Sequence, residues 1–300
     1  MLLILLLAAA AAAQEPVFRA GVTLVRVDVQ VTARNGRSIP GLEAGDFRVF
    51  DEDQAQKIVY FGRESDPLDL LLLLDVSGSM HRSLEQMAGA ARSALGQLHS
   101  GDRVAVMLFA RRAEVREPFT SRISDVQEEI RNAVRDQSLG SGTVINGSIL
   151  AAAGYMREQP VRGRRAILIL TDNQSLNYQA PDEDVIKALW EADSVLSAIV
   201  VGKLRRPERP KSSGPLNPDF TPSDVWKLAE ESGGEAVEAT RVGDQFRELI
   251  ERIRSRYSLQ YNPPEAPAGA LRRIRVELAP EAARRYPDAR VNARKGYYVR

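Results

Sequence analysis

The residues at 70–80, LLLLLDVSGSM, place a carboxylate at Asp75 and hydroxyls at Ser77 and Ser79, at alternate positions directly after a run of leucines. Two further segments carry the same kind of donor. The loop GSGT brings Thr143, and AILILTDN brings Asp172 at the end of another apolar run. Carboxylate and hydroxyl oxygens are hard ligands, and a set made only of them selects Mg²⁺, Mn²⁺ or Ca²⁺. At single positions ordinary roles compete: Ser and Gly after a strand make turns and helix caps, Thr143 can cap a helix from Val144, and Asp172 can cap its own loop. Three junctions of this kind in one chain are more specific than any one alone. Cysteine is absent and only His81 and His99 supply imidazole, so any metal must be held by oxygen.

The elements that must position these groups follow from periodicity. DLLLLLD at 69–75 is a continuous apolar run, as expected of a strand covered on both faces. Leu84, Met87, Ala88, Ala91, Leu95 and Leu98 then recur at helical spacing, to an end near Ser100 and Gly101. Downstream, RVAVMLFA, RAILILTD and SVLSAIVVG read as strands. ISDVQEEIRNAV, VINGSILAAAGYM, DEDVIKALWEA, SDVWKLAEESGG and DQFRELIERIRSRY read as helices. The alternation predicts the α/β class with a doubly wound, mostly parallel sheet, in which ligands bind at the carboxyl ends of the strands. Asp75 and Asp172 both fall at such ends. The segment 203–222, with Pro207, Pro210, Pro215, Pro218 and Pro222, reads as a loop.

Asp-x-Ser-x-Ser, a later Gly-Thr loop and a strand ending Thr-Asp resemble the pattern of the von Willebrand factor A domain. The resemblance implies a Rossmann-like fold and a metal-ion-dependent adhesion site with five coordinating positions. Carried over by motif, Ser77, Ser79 and Thr143 would supply hydroxyls, while Asp75 and Asp172 would act through bound water or hydrogen bonds. It also implies Mg²⁺, with Mn²⁺ or Ca²⁺ as substitutes, and a protein partner whose Asp or Glu completes the coordination shell. Asn173 departs from the family, which usually has Gly there.

The flanks are β-type. At 25–32, Val25, Val27, Val29 and Val31 alternate with Arg26, Asp28, Gln30 and Thr32, as in a half-solvated antiparallel strand, and residues 51–54 read as a hairpin turn. YSLQYNPP, LRRIRVELAP and ARVNARKGYYVR repeat the alternation after 256. The simplest architecture is a small β module built from both ends of the chain. These flanks are similar to those of a bacterial group of exported proteins related to the A domain. The expected divisions are 1–13 for a signal, 14–65 for the N-terminal β segment, 66–255 for the A domain, and 256–300 for a C-terminal β segment packing with the N-terminal one.

Composition excludes several classes. The 300 residues carry 41 Lys and Arg against 40 Asp and Glu, which lacks the cationic excess of a nucleic-acid binder. The opening MLLILLLAAAAAAQ is too short for the ~20 apolar residues that span a bilayer and reads as an export signal, so a soluble protein of the periplasm or exterior is expected. Arg162, Arg164 and Arg165, like Arg272, Arg273 and Arg275, read as solvated faces. The two histidines read as exposed or hydrogen-bonded, and Tyr257, Tyr261, Tyr297 and Tyr298 as cross-strand packing.

A Mg²⁺-dependent haloacid-dehalogenase-like phosphohydrolase would need a second Asp two residues after the first, where Ser77 stands. Neither a Gly-x-Ser-x-Gly elbow with a triad nor a phosphate-binding Gly-x-x-x-x-Gly-Lys loop is present. The expectation is therefore a non-enzymatic module that binds a protein partner through a bridging cation, with no nucleic acid. A structural protein with a vestigial site is the alternative.

Overall fold

The computed structural model describes residues 24–62, 66–174, 180–202 and 223–299. The signal expected at 1–13 and the proline-rich loop expected at 203–222 lie outside them. The centre is a six-stranded sheet of order β10-β9-β8-β5-β6-β7. Its strands are β5 (Leu68–Asp75), β6 (Arg103–Phe109), β7 (Ala113–Thr120), β8 (Arg164–Thr171), β9 (Val195–Val201) and β10 (Ala236–Ala239). All pair in parallel except β7, which runs antiparallel at one edge.

Every residue of β5 is buried, because helices cover both faces. Leu70, Leu72 and Leu74 pack with α1 (His81–Leu95), α2 (Ile123–Ala133) and α6 (Val242–Arg254). Leu71 and Leu73 pack with α3 (Ile145–Glu158), α4 (Asp182–Glu191) and α5 (Val225–Ser232). Each of these leucines contributes about 2 kcal/mol by transfer from water, so the strand that ends in Asp75 is among the best anchored in the molecule. The helix expected to reach residue 100 stops at Leu95, with Gly96 as its cap and Leu98 half-buried beyond it. The edge strand β7, the four-residue β10 and a short helix α7 (Pro280–Arg285) were not legible in the residue pattern.

The two ends of the chain meet in a pair of four-stranded antiparallel sheets, β13-β1-β11-β4 and β14-β12-β2-β3. The first is built from β1 (Val25–Thr32), β4 (Ile58–Gly62), β11 (Tyr257–Tyr261) and β13 (Arg290–Asn292). The second is built from β2 (Phe47–Asp51), β3 (Gln54–Gln56), β12 (Leu271–Leu278) and β14 (Gly296–Tyr298). They share one core around Val27, Val29, Val31, Phe47, Val49, Leu259 and Ile274. The β2–β3 turn uses left-handed backbone at Glu52 and Asp53, as a tight two-residue hairpin requires.

Two expectations are corrected here. β1 is not half-solvated: Asp28, Gln30 and Thr32 are buried along with the valines. The polar face of the strand meets other polar groups rather than water, and Gln30 donates to Glu235 at 2.7 Å and accepts from Arg256 at 2.8 Å. Nor do Arg164 and Arg165 lie on a solvated face. Arg164 is 1 % exposed and donates to the carbonyls of Arg254 (2.9 Å) and Arg256 (3.0 Å) at the end of α6. Arg165 is also buried and donates to the carbonyls of Gln159 and Ala192. Arg162, Arg273 and Arg275 are exposed, whereas Arg272 is half-buried against Asp51 at 2.6 Å.

Candidate metal centre

The carboxyl edge of the sheet collects the oxygen donors. β5 ends at Asp75, opposite Phe109 of β6, and the chain passes through a single 3-10 turn at Gly78–Met80 into α1. The Asp75 carboxylate is fully buried and held from two sides. Oδ1 accepts the Ser77 amide at 3.0 Å, closing the turn, and Oδ2 accepts the Thr171 hydroxyl at 2.8 Å from the end of β8. Burial pushes its pKa up to about 6. The hydrogen bonds from Ser77 and Thr171 oppose that shift, and the neighbouring Asp172 adds to it.

Ser77 Oγ lies 3.3 Å from Ser79 Oγ, and Ser79 Oγ donates to Asp172 Oδ2 at 2.7 Å. The other Asp172 oxygen accepts the Gln174 amide at 3.0 Å, so Asp172 does cap its own loop while it faces the serines. Asp75, Ser77, Ser79 and Asp172 thus form one connected cluster. Thr143 stands on the adjoining loop and is buried, after Gly140 and Gly142 with positive φ. That loop is tied to the end of β6 by the Val144 amide on the Ala110 carbonyl at 3.0 Å. The helix cap is Val144 rather than Thr143.

These hydrogen-bond spacings are also compatible with ligation of a divalent cation. Oxygens bound to Mg²⁺ at about 2.0–2.1 Å in an octahedron lie about 3 Å apart when adjacent, and the two separations within the cluster, 3.3 and 2.7 Å, bracket that value. Among the described residues no three His, Cys, Asp or Glu side chains stand together, so a cation here must draw on hydroxyls. Neutral hydroxyl ligands leave such an ion electrophilic toward a further anion.

One contributor escaped the sequence reading. Thr171 precedes Asp172 by one residue, so its hydroxyl belongs to the strand and reaches across to Asp75. Its oxygen also accepts the Asn173 amide at 3.1 Å. Asn173 has φ of 58°, the left-handed region that Gly adopts freely and Asn tolerates, so its departure from the family leaves the loop path intact. Of the histidines, His81 is exposed beside Glu85, and His99 Nδ1 lies 2.6 Å from Arg254. Tyr261 and Tyr297 do more than pack, since both hydroxyls donate to Asp51 Oδ2 at 2.8 Å.

Residues 70–174 match the model of the von Willebrand factor type A domain. No curated protein matches the chain in sequence. Among solved structures it is similar to proximal thread matrix protein 1 of the mussel byssus, in a form whose metal-ion-dependent adhesion site holds zinc. That match has 16% identity and a TM-score of 0.51, and covers 69% of this chain and half of that one. It is also similar to a von Willebrand factor type A protein from Catenulispora acidiphila (12% identity, TM-score 0.47, 94% of this chain and 74% of that one). A third is an aerotolerance-related membrane protein from Bacteroides fragilis (17% identity, TM-score 0.46, 62% and 98%). No helix among the described residues is long and apolar enough to cross a membrane. The segment that matches the von Willebrand factor type A model, 70–174, runs from the covered strand β5 to just past β8, in the middle of the doubly wound sheet.

Proposed function

We propose that the chain is a non-enzymatic binding module whose partner supplies an Asp or Glu carboxylate to a divalent cation held by Ser77, Ser79, Thr143, Asp75 and Asp172. Mg²⁺ is the expected ion, with Mn²⁺ or Ca²⁺ as substitutes. The observation that carries this reading is the contiguous, hydrogen-bonded set of oxygens running from Ser77 through Ser79 to Asp172 at the carboxyl edge of the sheet, beside a fully buried Asp75. The mussel protein of similar fold holds zinc at its own metal-ion-dependent adhesion site, which supports the reading. A role for Asp75 as a phosphohydrolase nucleophile is disfavoured, because both its oxygens are engaged by Ser77 and Thr171 and none of its surface is exposed. The reading includes export, supported by the apolar run at 2–13.

The test is a Mn²⁺ titration of the full chain followed by electron paramagnetic resonance of the free ion, with and without the Ser79→Ala/Asp172→Ala pair. One ion bound per chain and lost in the double variant is expected, with the far-ultraviolet spectrum unchanged. Uptake equal in both proteins overturns the assignment. A fluorescein-labelled peptide with one Asp among Gly and Ser should then bind in Mg²⁺ and dissociate in EDTA; equal binding in the two buffers overturns the carboxylate bridge.

A further inference from the structure

The metal edge is flanked by arginines that the A-domain reading does not use. Arg111 and Arg112 form the turn between β6 and β7, directly beyond Phe109, the residue opposite Asp75. Arg112 donates to the Ser138 carbonyl at 3.1 Å, and a Cβ built on Gly140 would lie 3.4 Å from the Arg111 Cβ, so both lean on the loop that carries Thr143. Arg82 stands in the first turn of α1, three residues after Ser79 of the preceding 3-10 turn. All three are exposed, and among the described residues none is paired with a carboxylate.

The opposite flank has the other sign. α4 opens with Asp182, Glu183 and Asp184, of which the first two share Lys227 at 3.1 and 3.3 Å. Two carboxylates, Asp75 and Asp172, neutralise a divalent ion, so the loaded site has little net charge to attract an anion from a distance. Among the described residues, the exposed arginines of the β6–β7 turn and the start of α1 supply that attraction, on the flank away from the acidic start of α4.

Resting on the carboxylate-bridge reading, we infer that the partner's metal-binding Asp or Glu lies in an acidic segment, with further carboxylates placed over Arg111, Arg112 and Arg82 and turned away from the start of α4. The cation holds one carboxylate. The arginines select its neighbours and set the direction in which the segment crosses the edge.

The experiment compares two fluorescein-labelled peptides by anisotropy in Mg²⁺ and in EDTA: Gly-Ser-Asp-Gly-Ser and Glu-Glu-Asp-Glu-Glu. The acidic peptide should bind the wild-type chain about tenfold more tightly, the combined effect of two or three exposed ion pairs. That preference should vanish in Arg111→Glu/Arg112→Glu and in 0.5 M NaCl, while Mn²⁺ affinity stays unchanged. Arg82→Glu is a separate reversal on α1 should the double variant fold poorly. Equal Mg²⁺-dependent binding of both peptides, or a preference that survives the reversals, overturns the inference and leaves the carboxylate bridge standing. Failure of both peptides in Mg²⁺ overturns the bridge itself. Arginine-dependent binding that persists in EDTA overturns the inference in favour of a metal-independent anion surface.

Discussion

Replacing Arg164 with Met tests the joint between the A domain and the β sandwich. The guanidinium donates to the carbonyls of Arg254 and Arg256 at 2.9 and 3.0 Å, where α6 ends and β11 begins. Met keeps much of the volume and removes the donors. Two buried carbonyls then lose charge-assisted bonds of about 1.5–3 kcal/mol each, which puts the loss at about 3–5 kcal/mol, the range for breaking a buried charged contact. For a chain of this size that lowers the thermal midpoint by about 10 °C.

The same variant should change the pH dependence. Burial raises the Asp28 pKa, and Arg164 is the strongest of three guanidiniums that hold it down, with Arg26 and Arg256. A carboxyl whose folded pKa lies above its unfolded one favours the fold most below the unfolded value, and that contribution is lost as the pH rises through the folded value. Removing Arg164 moves the folded value further up. The Arg164→Met deficit should therefore be larger at pH 8 than at pH 4.5, by about 1.4 kcal/mol for each unit of added shift. Adding Asp28→Asn should recover that pH-dependent part and leave the carbonyl part. Urea unfolding at the two pH values checks both. A deficit that is the same at pH 4.5 and 8, untouched by Asp28→Asn, would refute the coupling.

Three further outcomes are expected. Millimolar Mg²⁺ should raise the thermal midpoint of the wild type, by about 2.7 kcal/mol of stabilisation when the ion is at a hundred times its Kd, and should leave Ser79→Ala/Asp172→Ala unmoved; calorimetry decides it. Gly234→Ala should lose about 3 kcal/mol or more, because its Cβ would lie 1.8 Å from the Leu196 carbonyl, whereas Gly154→Ala, inside α3 with nothing within 4 Å, should gain about 1 kcal/mol. Equal effects at the two glycines in urea melts would contradict the packing. At Asn173, Gly should be tolerated and Val should lose about 1–2 kcal/mol through the left-handed backbone; matching melting curves for the two substitutions would argue against that conformation.

The parts of the fold that could be read from the residues are those where periodicity reports burial directly. The leucines at 70–74 admit no solvated face, and β5 has none. The same rule failed on β1, whose alternating pattern is identical whether its polar face meets water or meets buried guanidiniums. Nothing near Asp28 or Gln30 in sequence announces Arg164 or Arg256, more than 130 residues away. β7 was hidden because an edge strand is half-exposed, and Glu114, Arg116, Glu117 and Pro118 dilute its apolar positions. At the site, donors separated by two residues or marked by a strand end were legible. Thr171 was not, since its partner is reached sideways across the sheet, and lateral contacts leave no spacing in one chain.

The placement of the sandwich bears on the candidate metal edge. Its contacts with the A domain fall where the parallel strands begin. Arg26 donates to the Gly163 carbonyl just before β8, Arg294 to the Trp190 carbonyl and to Asp193 just before β9, and Arg256 to the Gly233 carbonyl just before β10. Asp75 and Asp172 lie where β5 and β8 end, at the opposite edge. Guanidinium bonds to backbone carbonyls fix direction as well as distance, and only Ser255 and Arg256 separate α6 from β11. A joint of that kind resists sliding and leaves little slack. The sandwich therefore acts as a fixed base at one end of the sheet, and the orientation of the opposite edge, where Asp75 and Asp172 stand, is set relative to it by the β segments at 25–62 and 257–298.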